Sequence, residues 1–549
     1  MGTDWLGVRR LGAVAALMVI LALTIDGARA ATPEAGTVSL ADRTLHWQGE
    51  HYVAGSTIFA GTTCPPTTKE VCDRFDLSVD VDPAHWEQHR GGVEIRISWA
   101  SADDDFDLHV FDAEGNRIAS STAANTTSER VVIEKASGEY SVRVNPFSVT
   151  DSDYEGEVEL HSRKRTPRDT GVPEQPVFDQ RCDGGRAGGF PCKGVDLGAF
   201  LPHGAIGGGE GNDIWGWTDP DTGREYALVG KTIGTAFVDV TEPTAPVYLG
   251  LLPSHQPVET FFSLWRDVKV YANHAFVVSE EPSHGMQVFD LTRLRGVTEP
   301  RNWIADSHYP LFGGAHNVAI DEDSGFAYAV GTNTCSGGPH IVDITKPKLP
   351  VFAGCVADDG YTHDAQCVVY RGPDKDHQGR QICLNSNEDT LTIVDVTDKL
   401  DPKQLSRTTY PNATYTHQGW LTEDQRHFLL GDELDEVERG VPTTTYIFDV
   451  SDLDDPLFVR AHEASTPAID HNLYVRGGLV YQANYRAGLR ILDLKRVAEG
   501  RLREVAYFDV YPPDDAPEFN GAWSSYPFFP SGTIVVNGIE QGLFVLRQK

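Results

Sequence analysis

"GPHIVDITKPKLPVFAG" (Gly338–Gly354) decides the fold. A short run of β-branched and apolar residues ends on Asp-x-Thr, turns through prolines, and re-enters an apolar run. Related segments begin at Gly234, Gly285, Thr390, Thr444, Ala487 and Gln541, which makes seven copies. Their aspartates Asp239, Asp290, Asp343, Asp395, Asp449 and Asp493 recur at intervals of 51, 53, 52, 54 and 44 residues, and the seventh copy has Arg547 instead. A period near 50 without helical periodicity is that of four-stranded propeller blades. In the fourth unit the strands read "DAQCVVY" (A, innermost), "GRQICLN" (B), "TLTIVDV" (C) and "KQLSRTTY" (D). The last unit ends after its C strand. "VDLGAFLPH" (Val195–His203) resembles "VYLGLLPSH" (Val247–His255), the D strand of the first unit, and would complete the last blade. A ring closed in this way leaves no sheet edge unpaired.

The expected fold is therefore all-β: a seven-bladed β-propeller over 195–549, closed by its N-terminal strand and preceded by a small β-sandwich over 38–160. Strand-like "GGVEIRISWA" (Gly91–Ala100), "FDLHVFDAEGNRI" (Phe106–Ile118), "ERVVIE" (Glu129–Glu134) and "GEYSVRV" (Gly138–Val144) support the sandwich. Residues 161–194, opening on the polar "HSRKRTPRDTGVPEQP", read as a linker with a disulfide loop.

Residues 1–30 read as a signal peptide: Arg9-Arg10, an apolar run from Leu11 to Thr24, then "ARA" at Ala28–Ala30. The arginine pair also fits a twin-arginine signal. The run is too short to span a membrane, and no transmembrane segment is expected in the mature chain. The expected location is secreted or otherwise extracytoplasmic. Eight cysteines in such a chain suggest disulfides. Although about 105 connectivities are open, near neighbours suggest Cys64–Cys72, Cys182–Cys192, Cys335–Cys355 and Cys367–Cys383. A net charge of −34 argues against nucleic acid or an anionic membrane as partner.

The functional lead is a second repeat. Each strand A is preceded by a polar pair: Asn212-Asp213, Arg266-Asp267, His316-Asn317, His363-Asp364, His417-Gln418, His471-Asn472 and Asn520-Gly521. Four histidines on consecutive units should meet at one channel mouth. The B–C hairpins, including "NSNED" (Asn385–Asp389) and "GDELDE" (Gly431–Glu436), open on the same face. Imidazole and carboxylate together suit a divalent transition metal. The expected ligands are His363, His417 and His471 with Glu388 and Glu433, then His316 and Asp432. A histidine at this position can equally brace its loop, yet three units manage without one. The repeated "VDV" aspartates read instead as turn-makers. Asp103, Asp104, Asp105 and Asp107 offer oxygen for Ca²⁺ in the sandwich domain, or form a solvated turn.

The [VI]-D-[VIL]-[TS] cores resemble the LVIVD repeat family, and 195–549 is similar to the exported choice-of-anchor B group. "DDDFDLHVFDAEG" (Asp103–Gly115) resembles the β-sandwich appended to secreted bacterial peptidases, the pre-peptidase C-terminal domain. These resemblances imply architecture and assign no activity. No G-x-S-x-G elbow, P-loop, HExxH or dinucleotide fingerprint occurs. Two functions stay open: a binding module for a small ligand, glycan or protein, and a metal-dependent hydrolase or oxidase using the histidine mouth.

Overall fold

A computed structural model describes residues 31–56, 73–101, 104–113, 115–122, 126–164, 173–255, 265–281 and 283–549. The signal segment, Cys64, Cys72 and Asp103 lie outside the described residues. The chain divides into two compact units between residues 165 and 166.

In the first unit, one sheet orders Ala35–Ser39, Asp73–Asp80, Gly138–Ser152, Asp105–Phe111 and Arg117–Ser121, with Tyr52–Ser56 paired to Gly138–Ser152. The other orders Thr44–Gln48, Tyr154–Lys164, His89–Trp99 and Ser128–Glu134. Both sheets contribute to one apolar cluster that includes Trp47, Leu77, Ile95, Phe106, Leu108 and Val142. The segment Phe106–Ile118 is a hairpin rather than one strand. Asp112 reverses the chain by accepting the Asn116 amide on Oδ1 (2.8 Å), an Asp-led turn that strand composition conceals. Strand pairing also extends through His161–Lys164, so the polar stretch begins within the sheet.

Among the described residues, the second unit is divided into seven antiparallel-cored sheets. The strands of the fourth repeat are Asp364–Val369, Gln381–Ser386, Leu391–Asp395 and Lys403–Thr408, paired in that order. The first strands of the sheets are Gly211–Thr218, Arg266–Tyr271, Asn317–Asp321, Asp364–Val369, Thr416–Leu421, Leu473–Arg476 and Ala522–Tyr526. Each touches the next, and the last touches the first. That closed cycle is the architecture of a β-propeller. Val195–Pro202 pairs antiparallel with Gly542–Gln548, joining the start of the ring to its last sheet. Val177–Gln180 adds outside it.

Apolar residues of neighbouring sheets fill the space between them. Leu384 and Ile393 pack in one cluster with Phe428 and Phe448, all 0% exposed. Each such burial is worth about 1.5–3 kcal/mol relative to exposure. The repeated aspartates do the work of turns: Asp395 accepts the Thr397 amide (2.9 Å), Asp343 that of Thr345 (2.9 Å) and Asp449 that of Ser451 (2.9 Å). Cys182–Cys192, Cys335–Cys355 and Cys367–Cys383 are disulfides, as neighbour spacing suggested. No helix among the described residues is long and apolar enough to cross a membrane.

Candidate metal centre

The four histidines stand side by side at the entries of consecutive first strands. Ring centroids are 4.2 Å apart for His316–His363, 4.1 Å for His363–His417 and 4.4 Å for His417–His471. His363, His417 and His471 are buried, at 4%, 2% and 4% exposure. Burial disfavours the imidazolium. It holds His363 and His417 well below the usual histidine range and brings His471 down to about 3. All three imidazoles are neutral at pH 7.

A neutral imidazole has one N–H, and the neighbouring carbonyls fix where it lies. His363 Nδ1 donates to the His417 carbonyl (2.9 Å), and His471 Nδ1 to the Trp523 carbonyl (2.5 Å). A carbonyl only accepts, so Nε2 of both rings carries a lone pair. His417 Nδ1 has no hydrogen-bond partner among the described residues.

Glu433 follows the strand His427–Asp432 and faces two of these rings. Its Oε2 lies 3.5 Å from His417 Nε2, and its Oε1 3.6 Å from His471 Nε2. The Tyr485 hydroxyl donates to Oε1 at 2.6 Å and fixes the carboxylate. Burial, partly countered by that hydrogen bond, brings Glu433 up to about 7. Each of His417, Glu433 and His471 offers one ligand atom within 4.8 Å of the other two.

The other expected ligands are placed differently. His316 Nδ1 meets Glu280 Oε1 at 2.5 Å; burial opposes its charge, but that carboxylate, with Asp364 and Glu433, outweighs burial and raises its pKa. Glu388 has a left-handed backbone (φ 61°) and its carboxylate is bonded to Tyr415. Asp432 accepts from Tyr410 Oη (2.8 Å) and from the Thr414 and Tyr415 amides (2.7 and 2.6 Å), so it holds the preceding loop.

Two sets of residues escaped the sequence reading. Glu280 and Tyr485 lie in the hairpins "SEE" (Ser279–Glu281) and "ANYR" (Ala483–Arg486), and reach His316 and Glu433 respectively through side-chain directions that hairpin composition does not encode. The second residues of the polar pairs carry the bracing. Asn317 Nδ2 donates to the His363 carbonyl (3.0 Å), and Asp267 Oδ2 accepts from Val318 N (2.7 Å). Gln418 bonds both the amide and the carbonyl of Leu473 (3.0 and 3.2 Å). A polar side chain repeated just after each histidine position was the available signal.

Where the histidine is missing, other groups fill the entry. Arg266, 2% exposed, donates to the Lys231 carbonyl (3.0 Å) and Ser254 Oγ (2.6 Å), and faces Glu281 (3.8 Å). Asn520 contacts Glu540 and Arg486. Deeper in the ring, Lys269 bridges Asp213 (3.2 Å) and Asp267 beneath Trp215.

In the first unit, Asp104 accepts the Thr150 amide (2.9 Å) and Asp107 the Asn145 side-chain amide (3.1 Å). These aspartates form no three-carboxylate group among the described residues.

No family model and no curated protein sequence matches the chain. Solved structures are similar at low identity. The Cps50 (Swd1) β-propeller domain of Myceliophteria thermophila is 13% identical, with 63% of this chain and 98% of that one covered and a TM-score of 0.41. A protein from Lactobacillus plantarum is 14% identical over 60% and 88% of the two chains, with a TM-score of 0.38. The periplasmic gluconolactonase PpgL of Pseudomonas aeruginosa is 13% identical over 54% and 88%, with a TM-score of 0.37. At such scores the propeller architecture rests on the closed cycle of first strands, and these likenesses carry no function to the chain.

Proposed function

We propose that the chain is an exported, seven-bladed propeller of LVIVD type, carried behind a β-sandwich, that works as a binding module. Its channel mouth takes a divalent transition cation through His417 Nε2, His471 Nε2 and Glu433, with His363 next in the row. One observation carries the reading: two imidazole nitrogens face a single half-buried carboxylate at 3.5 and 3.6 Å. For His471, whose proton is committed to the Trp523 carbonyl, that is lone pair against lone pair. Ligand atoms about 2.0–2.2 Å from a tetrahedral ion stand about 3.3–3.6 Å apart, so a metal fits that spacing. The Trp523 carbonyl and Tyr485 then serve as outer partners that orient the ligands. Three disulfides agree with an oxidising, extracytoplasmic setting.

The test is elemental analysis of protein produced with export, beside a His417→Ala/His471→Ala variant of matched circular dichroism. Near-stoichiometric transition metal, lost in the variant, is expected; no metal in either, with no uptake on titration, defeats the reading.

A second reading, a metal-dependent hydrolase or oxidase, is favoured by the size of the set. Three protein ligands leave a fourth position for water or substrate, as catalytic metal sites do. Turnover of ester, glycoside or thiol probes by metal-loaded protein, absent from the variant, would select it.

A further inference from the structure

A separate group of carboxylates lies behind the histidine row. Asp435 and Glu436 open the short helix Asp435–Arg439, and Asp470 immediately precedes His471. All three are buried, at 0%, 1% and 3% exposure. Asp435 and Glu436 are each anchored by one oxygen. Tyr446 Oη donates to Asp435 Oδ2 (2.6 Å), and the Thr444 amide donates to Glu436 Oε1 (3.0 Å). Their other oxygens, Asp435 Oδ1 and Glu436 Oε2, belong to carboxyls that face each other and have no well-formed hydrogen bond, nor does either oxygen of Asp470, which has the Asp432 amide close by. One ligand oxygen from each residue lies within 4.8 Å of the other two.

Three carboxylates turned on one another inside a protein are strongly unfavourable unless a cation or protons intervene. No lysine or arginine among the described residues forms an ion pair with them. Arg439, whose charge acts on Asp435, donates to the Asn412 carbonyl (3.1 Å). We infer that Asp435, Glu436 and Asp470 bind a hard divalent cation, calcium. An all-oxygen set favours a hard cation over the softer metals that imidazole attracts. Oxygens 2.3–2.6 Å from Ca²⁺ can stand up to about 5 Å apart, so three ligand atoms within 4.8 Å of one another fit its flexible shell, whereas Mg²⁺ demands a near-ideal octahedron. The calcium clamps together the loop after Glu433 and the residue before His471, two segments that form the candidate metal centre.

The test is the melting temperature of the chelator-stripped, full mature chain, with and without about 1 mM Ca²⁺, a concentration suited to extracellular calcium modules. Calcium should raise it by at least about 2 °C, and Mg²⁺ by less. The calcium response should vanish in Asp470→Asn and in Glu436→Gln. It should persist in His417→Ala/His471→Ala and in Asp105→Asn/Asp107→Asn, which separates it from the histidine centre and from the first unit's aspartates. No response in the parent chain overturns the proposal, as does a response kept by the carboxylate variants. If Asp470→Asn fails to fold, Glu436→Gln decides alone.

Discussion

The ring has two halves. Four consecutive first strands are entered through His316, His363, His417 and His471, and the other three through Asn212, Arg266 and Asn520. In both halves the bracing between adjacent strands comes from the following residue, as with Asp267 on Val318 and Gln418 on Leu473. In the arginine entry the buried charge is met by fixed partners: Ser254, Glu281 and a backbone carbonyl. In the histidine entries two nitrogens face a carboxylate at distances too long for a hydrogen bond. One half closes the ring upon itself, and the other holds groups that an added ion would complete.

The contrast can be broken in four ways. Arg266→Ala should be the most costly, about 3–5 kcal/mol, because it leaves Glu281 buried without its cation. Denaturant unfolding measures this, and metal content per folded chain should not change. His471→Ala should reverse that pattern, lowering metal affinity by about 100-fold in calorimetric titration while costing less stability. Gln418→Ala should cost about 1–3 kcal/mol by orphaning the buried Leu473 amide and carbonyl. If it abolished metal binding without destabilising the fold, the division between bracing and binding residues would be wrong.

The smallest effect is one of pH. His471 titrates at about 3 in the folded protein against 6.5 as its ordinary value. Its contribution to stability is complete above pH 6.5 and is lost as pH falls toward 3. The loss reaches about 0.8 kcal/mol by pH 6. Glu433, raised to about 7, acts in the opposite sense, its share present below pH 4.5 and lost as pH rises through 7. Metal-free His471→Gln should therefore lose less stability than the parent between pH 7 and pH 6; an unchanged slope would mean that the ring is not held neutral.

Much of this architecture could be read from the chain because its determinants are local and repeated. The repeated apolar pattern located the four strands of the fourth repeat to within about two residues at every end. The likeness of Val195–His203 to a D strand anticipated its pairing with Gly542–Gln548. Cys367 and Cys383 lie opposite one another on adjacent strands, so nearness in sequence was nearness in space. The site was legible only in part. Equal spacing aligned the imidazoles, because first-strand entries are equivalent positions in the ring. The carboxylates sit in hairpins, where a one-residue change of backbone redirects a side chain. Glu433 reaches His417 and His471, whereas Asp432 beside it turns back to the Thr414 and Tyr415 amides.

The pairing of Val195–Pro202 with Gly542–Gln548 also sets an order for biosynthesis. Val195 lies opposite Gln548, so the first strand of the ring has only Val177–Gln180 beside it, and its inner edge stays unpaired, until nearly all of the unit has left the ribosome. Closing so long a loop is entropically costly and slow. Until then both strands present open edges to other chains. Translation must therefore run through the last sheet before the ring can shut, and a chain truncated inside that sheet should stay open and aggregate.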